Sequence, residues 1–193
     1  MNSKNLFIKI FSVVTLFLCL FTVTSGVEDY SIQEVQKVLK AIETVSSGQL
    51  NRDGHILRKV MITESELNSY IAYRIETERE EIMRELRLKL FPDNRIEGKI
   101  LIDLTGQNIP EFVRPQMTFY LSGKVKAGDG KVKIAVKDLF LESQPIQPVI
   151  LDFIISIAAR IENTESSSIN DWYDLPYGIK NIETQKGKAI FYY

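Results

Sequence analysis

The chain is short of the side chains from which most active centres are made. Its 193 residues include one cysteine, Cys19, and one histidine, His55, so zinc clusters and Cys-His or Ser-His-Asp arrangements have almost no material. Charge of one sign is also lacking. With 24 Lys and Arg against 25 Asp and Glu, no strong field points to nucleic acid or to an acidic membrane surface. There is no glycine-rich phosphate loop, no EF-hand spacing and no basic stripe interleaved with aromatics. Asp93, Glu97, Asp103 and Asp138 could supply a carboxylate pair, yet general acids and bases must meet in a cleft, and their strand positions direct them to a polar face. No metal, no cofactor and no catalytic residue is expected, and an enzyme is the weakest of three readings. His55 reads as an exposed loop histidine.

The N-terminus carries a pattern of its own. Lys4 and Lys9 precede an uncharged run from Ile10 to Ser25, followed by Gly26, Glu28 and Asp29. A basic start, a short apolar middle and small residues near Gly26 describe a secretory signal peptide over residues 1–25. An uncleaved anchor is the alternative, because about 16 residues is just under the usual span of roughly 17 to 25. Cys19 lies inside the run, and the bulky Phe17 and Leu18 before it fit a lipoprotein cleavage site poorly. Removal of residues 1–25 leaves residues 26–193 as one domain with no cysteine and a net charge of about −3. An exported, disulfide-free domain of that kind suits the periplasm or cell envelope of a bacterium.

Two helices and a strand should come next. Ser31 and Glu34 form a capping-box pattern, and Ile32, Val35, Val38, Leu39, Ile42 and Val45 follow helical spacing with a charged opposite face. Ile56 to Ile62 reads as a strand. A second capping box, Thr63 and Glu66, then opens a helix through Leu67, Tyr70 and Ile71 into the charge run Glu76 to Glu81.

From Ile82 to Glu142 apolar and polar residues alternate with period two, the signature of a half-buried antiparallel sheet. Ile82, Leu86, Leu88 and Leu90 share one face, with Met83, Glu85, Arg87 and Lys89 opposite. The turn Phe91 to Arg95 reads as longer than the tight two-residue type. Ile96, Gly98, Ile100, Ile102 and Leu104 line the next strand, and Met117, Phe119, Leu121 and Val125 the third. Gly128-Asp129-Gly130 is a hairpin turn. Val132, Ile134 and Val136 then fall one residue out of step with Leu139 and Leu141, which predicts a β-bulge near Lys137 and Asp138 and a curved sheet. Gly123 reads as a turn or bulge glycine.

After Pro145 and Pro148, Val149 to Ile161 is apolar over most of a helix's circumference, and at roughly 13 residues is too short to cross a bilayer. It is buried against the sheet or partly inserted in an interface. A polar linker from Glu162 to Asp171 precedes a last hairpin, Lys180 to Gln185 and Lys188 to Tyr193, turned at Lys186-Gly187. The terminal aromatics finish a pairing or edge strand, or rim a groove.

The stretch Ile62-Thr63-Glu64-Ser65-Glu66-Leu67-Asn68-Ser69-Tyr70-Ile71, the strand entry Asn94-Arg95-Ile96-Glu97-Gly98, the two prolines before the apolar helix, and Leu175-Pro176-Tyr177-Gly178-Ile179-Lys180 resemble the LmeA-like phospholipid-binding family of bacterial envelope proteins. The resemblance spans roughly Val60 to Tyr193. It implies an α+β fold in which a curved antiparallel sheet wraps around an apolar helix, as in tubular lipid-binding modules, with an amphipathic N-terminal helix alongside. The partner it implies is a phospholipid or other acyl-chain ligand, with transient membrane contact and no nucleic acid. The family supplies no catalytic motif. From strand alternation, Leu86, Leu88, Ile100, Ile102, Phe119 and Leu121, with Phe153 and Ile157 of the helix, are the expected groove lining. The alternative is a structural or interaction domain of the envelope whose apolar face is a filled core.

Overall fold

The computed structural model describes residues 30–48, 58–78, 82–176 and 178–193. The expected signal or anchor segment 1–25, with Cys19, and the loop holding His55 lie outside the described residues. The order of elements is α1 (Ile32–Gly48), β1 (Lys59–Thr63), α2 (Glu64–Thr77), β2 (Met83–Leu90), β3 (Arg95–Asp103), β4 (Gln116–Gly128), β5 (Lys131–Leu141), β6 (Gln144–Pro145), α3 (Pro148–Ile161), β7 (Tyr173–Asp174), β8 (Asn181–Gln185) and β9 (Lys188–Tyr192). Among the described residues the fold is α+β, with three helices and a curled antiparallel half-barrel sheet. Among the described residues no helix is long and apolar enough to cross a membrane.

The larger sheet runs β2-β3-β4-β5-β6, with β7 also on β5. Its hairpins follow local chemistry. Asp129 and Gly130 both have positive φ, the backbone of a two-residue primed turn whose twist matches the strands. The first turn is longer than the two-residue type, as expected: Pro92-Asp93-Asn94 connects Phe91 to Arg95, with Asp93 and Asn94 at φ 61° and 59°. Asparagine and aspartate tolerate that region because their short polar side chains bond locally.

Two bulges curve the sheet. Ser122 pairs with Asp138 but Gly123 with Val136, so Lys137 is the extra residue, at the predicted place. Gly123 is obligatory there: a Cβ would stand 2.7 Å from the Ala135 carbonyl oxygen, on backbone that cannot give way. On β2, Met83 pairs with Ile102 and Glu85 with Leu101, leaving Arg84 over. This second bulge resets the alternation and turns Met83, expected on the polar side, toward the apolar side.

The smaller sheet has the order β1-β9-β8, so the C-terminal strand is central, between a strand over a hundred residues upstream and its own hairpin partner. Helix α2 opens on a capping box, in which Thr63 and Glu66 exchange backbone and side-chain bonds, and lies along the edge of β2. The Asn68 carboxamide mimics a strand, accepting from Leu88 N–H and donating to Leu88 C=O, both at 2.8 Å. Leu90 N–H donates to Glu64 at 2.6 Å, and Gly187 N–H to Leu90 C=O at 3.0 Å. That edge is thereby blunted. Glu34 of α1 accepts hydrogen bonds from Ser65 and Ser69 of α2, which joins the two helices.

Apolar side chains gather in two clusters. One packs Leu151, Ile154, Ile157 and Ala158 of α3 against Ile102, Phe119 and Leu139. The other packs Val35, Val38 and Val45 of α1 and Tyr70 of α2 with Ile182, Ala189 and Phe191 of the smaller sheet.

Candidate functional site

Between the two clusters lies a cavity of about 150 Å³. Its floor is the concave face of the larger sheet, where Leu86 and Leu88 of β2 stand beside Ile100 of β3 and Leu121 of β4. The floor position between Leu88 and Leu121 is Gly98, the partner of both. A Cβ there would come within 3.2 Å of the Leu121 side chain, so the missing side chain contributes to the space. Leu67, Tyr70 and Ile71 of α2 form the roof. Ile182, Thr184, Ala189 and Phe191 close one side, and Ile169 with Tyr173 another.

Of the polar residues around this space, Thr184, Tyr70 and Tyr173 are engaged within the protein, and Lys133 of β5 also lines it. Thr184 Oγ1 donates to Phe91 C=O at 2.7 Å, and its N–H donates to the Asn94 side chain at 2.8 Å, which fastens the last hairpin to the first turn. Arg74 donates to Tyr70 Oη at 3.1 Å and pairs with Glu78. Burial raises the Tyr70 phenol above its ordinary pKa despite that contact. Tyr173 donates to Ser168 C=O, and burial pushes its pKa up to about 12. Both phenols are therefore neutral near pH 7. Among the described residues no three His, Cys, Asp or Glu come together as a metal site. What the lining offers chemically is apolar surface.

The eight residues expected to line a groove are divided by the structure. Leu86, Leu88, Ile100 and Leu121 meet around the cavity. Ile102, Phe119 and Ile157 lie off the cavity in the cluster packed with α3, to which Ile100 and Leu121 also belong, and Phe119 is fully buried. Phe153 is on the surface, 41 % exposed, with its ring stacked on Phe112 at 6.1 Å. The split follows the helices: α3 residues share a packed cluster with Ile102 and Phe119, whereas Leu67, Tyr70 and Ile71 of α2 line the cavity.

Sixteen of the twenty residues around the cavity were not among the eight expected. Ile169 falls in a stretch that reads as a polar linker, yet it is fully buried because Asp152 of α3 accepts from Ile169 N–H and Ser168 Oγ, each at 2.9 Å. A signal for Ile182, Thr184, Ala189 and Phe191 existed in the period-two spacing of the last hairpin, but nothing local ties that hairpin to β2. No protein-family model, curated protein or solved structure matches the chain.

Proposed function

We propose that the protein is an exported, non-enzymatic lipid binder of a bacterial envelope, holding the acyl portion of a phospholipid or other amphiphile in the cavity under α2. In this reading the curved sheet wraps the apolar α3 at one end, the amphipathic α1 lies beside α2, and the ligand takes the space between, as the resemblance to the LmeA-like family implies. The observation that carries it is the cavity itself, about 150 Å³ with an almost wholly apolar lining. Left empty, a cavity of this size costs about 3.6 kcal/mol at roughly 24 cal/mol per Å³. That is a large part of the roughly 5–15 kcal/mol by which a domain is stable. An alkyl chain entering it regains about 0.8 kcal/mol for each methylene buried.

Ligand exchange needs a route past water, and an exposed apolar patch supports a membrane contact for it. Phe112 and Val149 are mostly exposed, with Ile150 and Phe153 beside them on the same face of α3 and no charge among the four. Stacked aromatics on an exposed apolar patch, with Glu111 and Arg114 flanking Phe112, suit the interfacial layer of a bilayer. The N-terminal apolar run, Ile10 to Ser25, brings the nascent chain to a membrane on either the signal or the anchor reading. The second reading, a scaffold with a filled core, is favoured at one place only, the packed cluster around Ile102, Phe119 and Ile157.

The decisive experiment is solvent extraction of the purified protein followed by mass spectrometry, with a titration of delipidated protein by a fluorescent fatty acid. Co-purifying lipid and saturable uptake are expected. Absence of both overturns the proposal in favour of the scaffold.

A further inference from the structure

A second, smaller apolar cavity of about 30 Å³ lies beneath α1, lined by Val38, Ala41 and Val45 of the helix and by Ile62 of β1. Three residues, Leu67, Tyr70 and Phe191, line both this space and the larger cavity. The two are thus neighbours that share residues of α2 and β9. One of the three is pinned: Tyr70 is held by the Arg74 hydrogen bond and is 1 % exposed. Leu67 and Phe191 have no polar tie.

Resting on the lipid-binding reading above, we propose that the ligand is a single-chain amphiphile, a fatty acid or lysolipid, and that Leu67 and Phe191 form the end wall that sets the length of its tail. The volume carries the first part. At about 150 Å³ the cavity is smaller than the roughly 300–1,000 Å³ of sites for drug-sized ligands. That leaves room for one tail and excludes a second lying beside it. The shared residues carry the second part. A tail running along the sheet's concavity toward the smaller sheet ends against Leu67 and Phe191, and the apolar space under α1 lies against the same two residues.

The test is a chain-length series. Straight-chain fatty acids from octanoate to stearate displace a fluorescent fatty acid from delipidated full-length protein. Affinity should climb about fourfold per methylene, the equivalent of about 0.8 kcal/mol each, and then level off where the tail meets the wall. In Leu67→Ala and in Phe191→Leu the plateau should move to longer tails, and Ala41→Leu, which fills the space under α1, should move it back when added to Leu67→Ala. A diacyl phospholipid with tails of the preferred length should compete more weakly than the matching lysolipid. An unbroken climb through stearate in the unsubstituted protein overturns the wall whether or not the variants fold, as does an unmoved plateau in variants that melt cooperatively. Stronger competition by the diacyl lipid overturns the single-chain class. If no fatty acid displaces the probe at any length, the failure belongs to lipid binding itself.

Discussion

Replacing Leu121 by phenylalanine separates an open cavity from a filled core. Leu121 is 6 % exposed at the centre of β4, with Gly98 opposite it on β3 and Leu139 on β5. The larger ring adds about three carbons, and at about 0.8 kcal/mol per methylene their transfer from water sets an upper limit of about 2.4 kcal/mol. Imperfect fit takes back roughly half, since shape changes in an interior commonly cost about 1 kcal/mol or more. The expected net is a gain of about 1 kcal/mol for the delipidated protein, or about 2–4 °C in Tm for a chain of this size. Ala158→Leu is the control. It adds the same number of carbons on α3, where Ala158 is 3 % exposed in the packed cluster and neither cavity reaches it, and it should cost about 1–3 kcal/mol. Urea unfolding followed by circular dichroism gives both values. Fatty-acid affinity should drop on the order of tenfold in Leu121→Phe, matching the loss of one or two methylenes' worth of space. A destabilisation equal to that of the control would refute the reasoning, because it would mean the interior at Leu121 is already full.

Three further outcomes test the frame around the cavity. Asn68→Ala leaves Leu88 N–H and C=O on the part-buried edge without their partner, which should cost about 1–3 kcal/mol in urea and speed hydrogen exchange at the Leu88 amide; an unchanged exchange rate counts against the strand-mimic role. Gly123→Ala should lose about 2 kcal/mol or more because its Cβ meets the Ala135 carbonyl, whereas Gly128→Ala faces open space and should be neutral or gain up to about 1 kcal/mol; equal effects would remove the steric account of the bulge. The Glu66 carboxyl is held below its ordinary pKa, first by the hydrogen bond from Thr63 N–H and also by Lys37. A lowered folded pKa means that its stabilisation is present above the ordinary carboxyl range and is lost as the pH falls through the folded value. Glu66→Gln should therefore flatten that part of the acid unfolding curve, and an identical slope in the two proteins would contradict the capping box as its source.

The features legible in the sequence are those that a few adjacent residues decide. The Thr63 and Glu66 box starts a helix wherever the chain goes, and Gly128-Asp129-Gly130 turns it because only such residues take positive φ cheaply. The bulge at Lys137 was visible as a slip in alternation, since period two leaves no other way to keep Leu139 on the inner side. The Arg84 bulge left no such trace, because Met83 is itself apolar and fits either face. Four of the eight expected lining residues, Leu86, Leu88, Ile100 and Leu121, do share one cavity.

What alternation states is which face of each strand avoids water, and that much belongs to the sequence alone. It does not state what covers the face. Ile102 and Leu88 read alike along the chain, yet Ile102 belongs to the cluster that holds the α3 side chains and Leu88 lines the cavity beside α2, because two helices more than fifty residues apart in sequence meet different parts of the same sheet. The central place of β9 in the smaller sheet is equally non-local, its pairing with β1 spanning nearly the whole described chain. Hydrophobicity is a property of one side chain, and its alternation one of its neighbours in sequence; volume is what remains after every element has packed, and only the tertiary structure decides it.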